Sequence, residues 1–267
     1  MLKDVTLGQY FPGDTPIHRL DPRAKILALA GYIVALFVAD GFSGYGIMLL
    51  LLAVASATAK IKPKTLLSGL KPLLFILIFT GVLNLFYGTG EPLVKLWVFS
   101  ITASGIKSAI FMVMRIMILV CGTFLLTYTT SPLSLTDGLE RLLSPLKKIR
   151  VPVHELSMMM SIALRFIPTL IEETDRIMSA QRARGASFDT GKLKERAAAL
   201  LPLLVPLFIS AFRRAEELAT AMECRCYHGG EGRTRMKKLS FKRSDFFAIA
   251  LMLAIVALVF FSRELPF

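Results

Sequence analysis

The chain has 267 residues, of which 54% are hydrophobic, with a mean hydropathy of +0.61 and a formal net charge of +13. That apolar share excludes an ordinary water-soluble domain and points to a membrane protein, provided charge and apolarity are segregated along the chain. Three cysteines do not make a disulfide framework, and the Cys224-x-Cys226 pair without nearby histidine pairs is weak grounds for a metal site.

Residues 1–23 are polar, with turn residues at Pro12-Gly13 and Asp21-Pro22. They lack the apolar core of a secretory leader and are expected to form a cytoplasmic N-terminal segment. Residues 24–59 hold two apolar runs, "AKILALAGYIVALFVA" and "GYGIMLLLLAVASATA", separated by "DGFS". As one helix this stretch would extend roughly 54 Å, well beyond a bilayer core, so Asp40, Gly41 and Gly44 are expected to break it into a hairpin of two spans. A third span is expected at about 71–87, a fourth over 105–130 and a fifth over 245–262. Residues 90–105 read as a loop or as a segment lying at the interface.

Basic residues orient these spans. Arg19, Arg23 and Lys25 precede the first, and Lys60, Lys62, Lys64 and Lys71 separate the second from the third. Region 131–243 is also rich in Lys and Arg. All three clusters fall on the cytoplasmic side if the N-terminus is cytoplasmic and five spans leave the C-terminus outside. The expected fold class is an all-α integral membrane protein of about five transmembrane helices with long amphipathic helices on the cytoplasmic side. Its divisions are the segment 1–23, a four-span bundle over 24–130, an amphipathic region over 131–243 and a C-terminal transmembrane helix over 244–267.

The amphipathic region is the informative one. A short piece at 134–149 is expected to be capped by Ser134 or Thr136 and ended by Pro145. Residues 153–184 follow as one long helical pattern, with Leu156, Met159, Met160, Ala163, Phe166, Ile167, Leu170 and Ile171 at i, i+3, i+4, i+7 spacing. A second pattern runs over 192–226 and contains "LLPLLVPLFISAF", too short to span; Pro202 and Pro206 are expected to bend it or reset its start.

Catalytic chemistry is hard to find. Arg115 is the strong charge well inside a span, and it reads as a structural group pairing with a carboxylate or with backbone carbonyls. His18, His154 and His228 have no metal-ligand partner at helical spacing. Glu172-Glu173 and Glu216-Glu217 read as solvated partners of nearby arginines, for example Glu172 with Arg176. "GASFDTGKL" imitates a phosphate loop, but five residues separate its glycines, Leu193 replaces the magnesium-binding hydroxyl, and a helix precedes it. No catalytic, cofactor-binding or metal residue is assigned.

The two long patterns end alike, in Ala-x-x-Ala-Arg-Gly (180–185) and Ala-x-x-Cys-Arg-Cys (221–226). A cation in the last turn is favoured by the helix dipole at any helix end. Repetition among small neighbours suggests more: Arg184, flanked by Ala183 and Gly185, and Arg225, flanked by Cys224 and Cys226, are guanidiniums bared for insertion into two equivalent acidic or carbonyl-lined grooves.

On these motifs the chain resembles the transmembrane (T) components of energy-coupling factor transporters. "PGDTPIHRLDPRAKI" is similar to the family's N-terminal signature, "TTSPLSLTDGLERLLSPL" to its entry into the coupling helices, and 160–188 to its first coupling helix and Ala-Arg-Gly motif. "AMECRCY" matches the second motif in position, with cysteines where the family has small residues. The resemblance implies a non-enzymatic coupling subunit of an ATP-driven importer of vitamins or other micronutrients. Arg184 and Arg225 would dock into two ABC-type ATPase subunits, which bind the ATP. The apolar faces, among them Met159, Ala163, Phe166, Ile167, Leu170, Leu204, Leu207 and Phe208, would hold a membrane-embedded substrate-binding S component. The lipid bilayer is the remaining partner, and no nucleic acid or cofactor is implied. The rival readings are a permease that binds its substrate directly and an intramembrane enzyme using Arg115 and loop acids.

Overall fold

The computed structural model describes residues 10–86, 92–96, 99–186, 188, 193–229 and 239–264. The chain divides into two compact units, one formed by Gly8–Leu139 with Leu239–Phe267, the other by Glu140–Lys238.

The first unit is a helical bundle. Helix α1 (Pro22–Val38) begins where Asp21 accepts the Arg23 backbone N–H at 2.9 Å and Pro22 presets the first turn. It ends at Ala39, and Asp40 caps α2 (Gly41–Thr58) by accepting the Gly41 N–H. The break expected at "DGFS" is therefore made by a new helix cap. Helix α3 (Pro63–Gly69) passes through a 3-10 turn (Lys71–Leu73) into α4 (Leu74–Phe86). Strands β1 (Pro92–Leu96) and β2 (Phe99–Thr102) form an antiparallel hairpin, with Leu96 opposite Phe99. This hairpin occupies the stretch expected to be a loop or interfacial segment. Helix α5 (Ala103–Thr129) is capped by the Thr102 hydroxyl, which accepts the Gly105 N–H.

Helix α6 (Pro132–Leu143) starts earlier than its sequence suggests, because Ser131 rather than Ser134 or Thr136 is the capping hydroxyl; it accepts the Ser134 N–H. Pro145 ends α6 as expected, and the chain continues as a 3-10 turn (Ser144–Ile149). After the amphipathic helices α7 (Val153–Ala183) and α8 (Leu193–Glu223), α9 (Arg243–Glu264) returns to the bundle.

Four of the described stretches are long and apolar enough to cross a membrane: α2, α3 with α4 (Pro63–Phe86), α5, and α9 as far as Ser262. The first expected span, α1, has 17 residues and a rise of about 26 Å, because Pro22 and Asp40 fix its ends. It is nonetheless central to the bundle. Tyr32, Leu36, Tyr45, Met48, Ile118, Met252 and Val259 from α1, α2, α5 and α9 form one buried cluster. Gly122 lets α1 and α5 approach closely, since a Cβ there would lie 2.3 Å from the Tyr32 ring, and the Tyr32 hydroxyl donates to the Ile118 carbonyl at 2.7 Å. Around this core, Leu50, Phe75, Phe79, Phe247 and Phe261 stand exposed, as side chains facing lipid rather than water would.

One end of the bundle is tied by a polar node. Asp245, 1% exposed, accepts the Asp21 N–H at 2.8 Å and the Lys242 N–H at 2.7 Å. Lys25 donates to the Thr129 carbonyl at 2.8 Å, and Arg23 pairs with Asp21 while lying 4.0 Å over the Phe241 ring. The starts of α1 and α9 and the end of α5 thus share one level. Arg115 sits in mid-α5. Its Nε–H donates to the Tyr45 hydroxyl at 2.7 Å, and the guanidinium lies about 5.9 Å from the Phe37 ring. Among its described contacts the partner is a phenol and aromatic faces, not the carboxylate or backbone carbonyls expected from sequence.

Candidate functional site: two matched helix ends

Helices α7 and α8 each have 31 residues, a rise of about 46 Å apiece. Both stop in the same way. At the end of α7 the Gly185 N–H donates to the Arg182 carbonyl and the Ala186 N–H to the Gln181 carbonyl, each at 3.0 Å. At the end of α8 the Cys226 N–H donates to the Glu223 carbonyl at 2.8 Å and the Tyr227 N–H to the Met222 carbonyl at 3.0 Å. Each is a Schellman cap, which requires the residue after the helix to turn left-handed. Gly185 does so at φ +90°, and Cys226 does so at φ +56°. The cysteine therefore follows the path that glycine takes in the first motif, with the steric cost of a Cβ added.

The cap places an arginine at the last half-helical position in both cases. Arg184 and Arg225 are exposed, as are Ala183, Gly185, Cys224 and Cys226. No hydrogen bond or ion pair among the described residues holds either guanidinium. Each charge stands on a rigid stem, flanked by small side chains, at the carbonyl-rich end of a helix.

The two stems run antiparallel and are pinned to each other. Glu173 of α7 accepts from the Ser210 hydroxyl and from Arg214 Nη2, the latter at 2.6 Å. The Ser210 hydrogen bond and the Arg214 guanidinium hold the Glu173 carboxyl below its ordinary pKa. Farther along, Gln181 Nε2 donates to the Pro202 carbonyl at 3.4 Å. That acceptor is free because Pro206, four residues on, has no N–H to offer it. Pro202 and Pro206 lie inside a continuous α8 and do not reset its start. At the other end of α7, His154 Nδ1 meets Glu140 Oε1 at 3.0 Å.

The comparisons with known proteins fall on this arrangement. Residues 13–236 match the CbiQ family of cobalt transport proteins. The "Energy-coupling factor transporter transmembrane protein EcfT" of Clostridium kluyveri is 52% identical over 98% of both chains. The protein of the same name from Thermosediminibacter oceani is 53% identical over 92% of this chain and 93% of its own, and that from Bacillus subtilis 46% over 98% and 100%. The chain belongs to this family of energy-coupling factor transporter transmembrane proteins. It is a membrane-embedded transporter component.

In this family member the apolar side chains picked out by periodicity divide into two sets. Met159 (55% exposed), Ala163, Leu204 and Phe208 (61% exposed) are uncovered, whereas Phe166, Ile167, Leu170 and Leu207 are half-buried. Periodicity missed Val205, Ile209 and Phe212, which are also exposed. Sequence reasoning also missed the pin between the stems. It assigned the acids of α7 to local pairs such as Glu172–Arg176, but Glu173 reaches across to the other helix, and no ion pair within 4.0 Å joins Glu172 to Arg176. A partial signal was available: Glu172-Glu173 and Arg213-Arg214 stand the same distances before the two motif arginines. Among the described residues no three His, Cys, Asp or Glu gather in a metal-binding group.

Proposed function

We propose that this chain is the mechanical coupling subunit of an ATP-driven importer, and that it is not itself an enzyme. Arg184 and Arg225 are the feet. Each inserts into a groove on one of two ABC-type ATPase subunits, which bind the ATP; this chain needs no cofactor of its own. The exposed faces of α7 and α8 around Met159, Ala163, Leu204 and Phe208 cradle a membrane-embedded S component that carries a vitamin or another micronutrient. Phe166, Ile167, Leu170 and Leu207 lie deeper in the same faces. Arg115 serves the bundle's internal structure.

The observation that carries this reading is the identity of the two helix ends: same hydrogen bonds, same left-handed exit, same exposed arginine. One such end is ordinary. Two of them on paired helices of equal length suit two equivalent partners. Each foot lies about 16 Å of helix rise beyond the Glu173–Arg214 pin, so motion of either foot reaches the crossing through stiff helix. In this reading the N-terminus is cytoplasmic. The level shared by the starts of α1 and α9 and the end of α5 is the cytoplasmic one, α1 is the first of five passes, and the C-terminus lies outside.

Charge reversal tests the feet. Breaking a buried interfacial arginine contact costs about 2–5 kcal/mol. Arg184→Glu with Arg225→Glu should therefore abolish copurification with the ATPases and ATP-driven uptake while leaving membrane insertion intact. Normal uptake by the double variant would overturn the proposal.

A further inference from the structure

A cavity of about 430 Å³ lies between the segment before α1 and the turn joining α2 to α3. Its walls include Phe11, Thr15 and His18 on one side and Lys60, Lys62 and Thr65 on the other. We infer that this cavity binds the phosphate headgroup of an anionic phospholipid, with Lys60 and Lys62 as the binding cations.

Two of the polar side chains lining the cavity are committed to neighbours. Its acid, Asp14, is committed to Arg19 through two contacts of 2.6 Å. His18 Nε2 lies 3.1 Å from the Phe11 carbonyl, which can only accept, so that nitrogen carries the proton. Nδ1 lies 2.6 Å from the Thr15 hydroxyl, so both ring nitrogens are engaged. His18 is thus a strut of the wall. Lys60 and Lys62 are exposed and have no hydrogen-bond or ion-pair partner among the described residues.

Lys60 is the telling residue. Helix α2 ends in a third Schellman cap, with the Lys60 N–H donating to the Ala57 carbonyl and the Ile61 N–H to the Ser56 carbonyl, both at 3.0 Å. The left-handed position falls on Lys60, at φ +56°. Glycine is the default there and would relieve the strain. A lysine retained in that strained conformation lines the cavity, and such strain is grounds for looking for function there.

Location chooses between the sources of phosphate. The turn lies between the end of one candidate span, Gly41–Thr58, and the start of the next, Pro63–Phe86. The cavity is therefore at headgroup depth, and Phe11, 50% exposed, offers an apolar surface to acyl chain at its rim. A basic pocket between membrane helices at that level suits a lipid phosphate rather than a soluble ion.

The test uses the full chain, purified with retained lipid and exchanged into phosphatidylglycerol or phosphatidylcholine micelles, with bound lipid counted by native mass spectrometry. Wild type should hold phosphatidylglycerol in preference to phosphatidylcholine, and millimolar inorganic phosphate should not displace it. Each lysine near the surface contributes roughly fivefold, so Lys60→Gln with Lys62→Gln should weaken retention roughly thirtyfold. Lys71→Gln, outside the cavity, should leave it unchanged. Lys60→Gly guards against misfolding, since it should stabilise the turn while losing about fivefold in lipid retention. Equal retention of the two lipids, unchanged retention in the double variant, or displacement by inorganic phosphate would each overturn the inference.

Discussion

Exchanging the residues that turn left-handed at the two feet should exchange their local stabilities. Cys226 holds φ +56° against the clash of its Cβ, whereas Gly185 holds φ +90° without one. A left-handed residue bearing a Cβ costs about 1 kcal/mol or more. Glycine gives back part of that through its freer open state, leaving a net gain of about 0.5–1 kcal/mol, or roughly two- to fivefold in a local equilibrium. The backbone groups that report it are the N–H of residue 226, bonded to the Glu223 carbonyl, and of Tyr227, bonded to the Met222 carbonyl. Cys226→Gly should therefore slow hydrogen exchange at both amides about two- to fivefold. Gly185→Cys should speed exchange at residues 185 and 186 by a similar factor. ATP-driven uptake should survive Cys226→Gly, because Arg225 keeps its place in the cap. Unchanged or faster exchange in Cys226→Gly would refute the reasoning, since it would mean that the cysteine is not strained where it sits.

Glu173→Gln should loosen the pairing of α7 with α8 and remove a pH dependence. The native carboxyl titrates below its ordinary value of 4.5, so its stabilisation is complete above that pH and is lost as pH falls through the native value; acid melting curves of wild type and variant should converge once the pH has fallen below that native value. Gly122→Ala forces a methyl against the Tyr32 ring, an overpacking cost of about 1–3 kcal/mol, and should lower the thermal midpoint. The same change in a Tyr32→Ala background should cost much less, and equal costs in the two backgrounds would refute the close approach. Asp245→Ala leaves the buried Asp21 N–H without an acceptor, a cost of about 1–3 kcal/mol, also frees the part-buried Lys242 N–H, and should destabilise the bundle measurably by thermal unfolding.

What could be read from sequence is what local chemistry decides. The apolar runs located α2, α4, α5 and α9 to within a few residues, and Asp40 marked the break between α1 and α2. The two arginine ends were legible because a cap is built from four or five consecutive residues. The cross-helix contacts were not. Nothing in a linear reading separates Glu173 from Glu172, since both are acids on a charged face; only the approach of α8 selects one of them. Proline was misleading for a related reason. Pro206 should weaken a helix by orphaning the Pro202 carbonyl, but Gln181 of the neighbouring helix reaches that carbonyl, and α8 runs through. The partner of Arg115 also lies about 70 positions away along the chain, at Tyr45, beyond the reach of any spacing rule.

The pin between the helices explains why the repeat is broken where it is. Helices α7 and α8 end in equivalent caps, and residues equally far from the two caps are equivalent positions. Glu173 and Arg214 are such a pair, about eleven residues before Arg184 and Arg225 respectively, and the antiparallel helices meet there. Where two copies of a repeat cross about a pseudo-twofold axis, a residue on the axis faces its own equivalent. Identical charges at that place would repel, so a repeat that keeps arginine at both feet cannot keep one charge at both crossing positions. The chain resolves this by carrying Glu172-Glu173 on α7 and Arg213-Arg214 on α8. The feet remain alike because they face outward, toward partners taken above to be equivalent. The crossing must differ because there the two helices face each other. Symmetry is thus kept at the tips and given up at the axis, and Glu173→Arg, which restores identity at the crossing, should separate the stems more severely than Glu173→Gln.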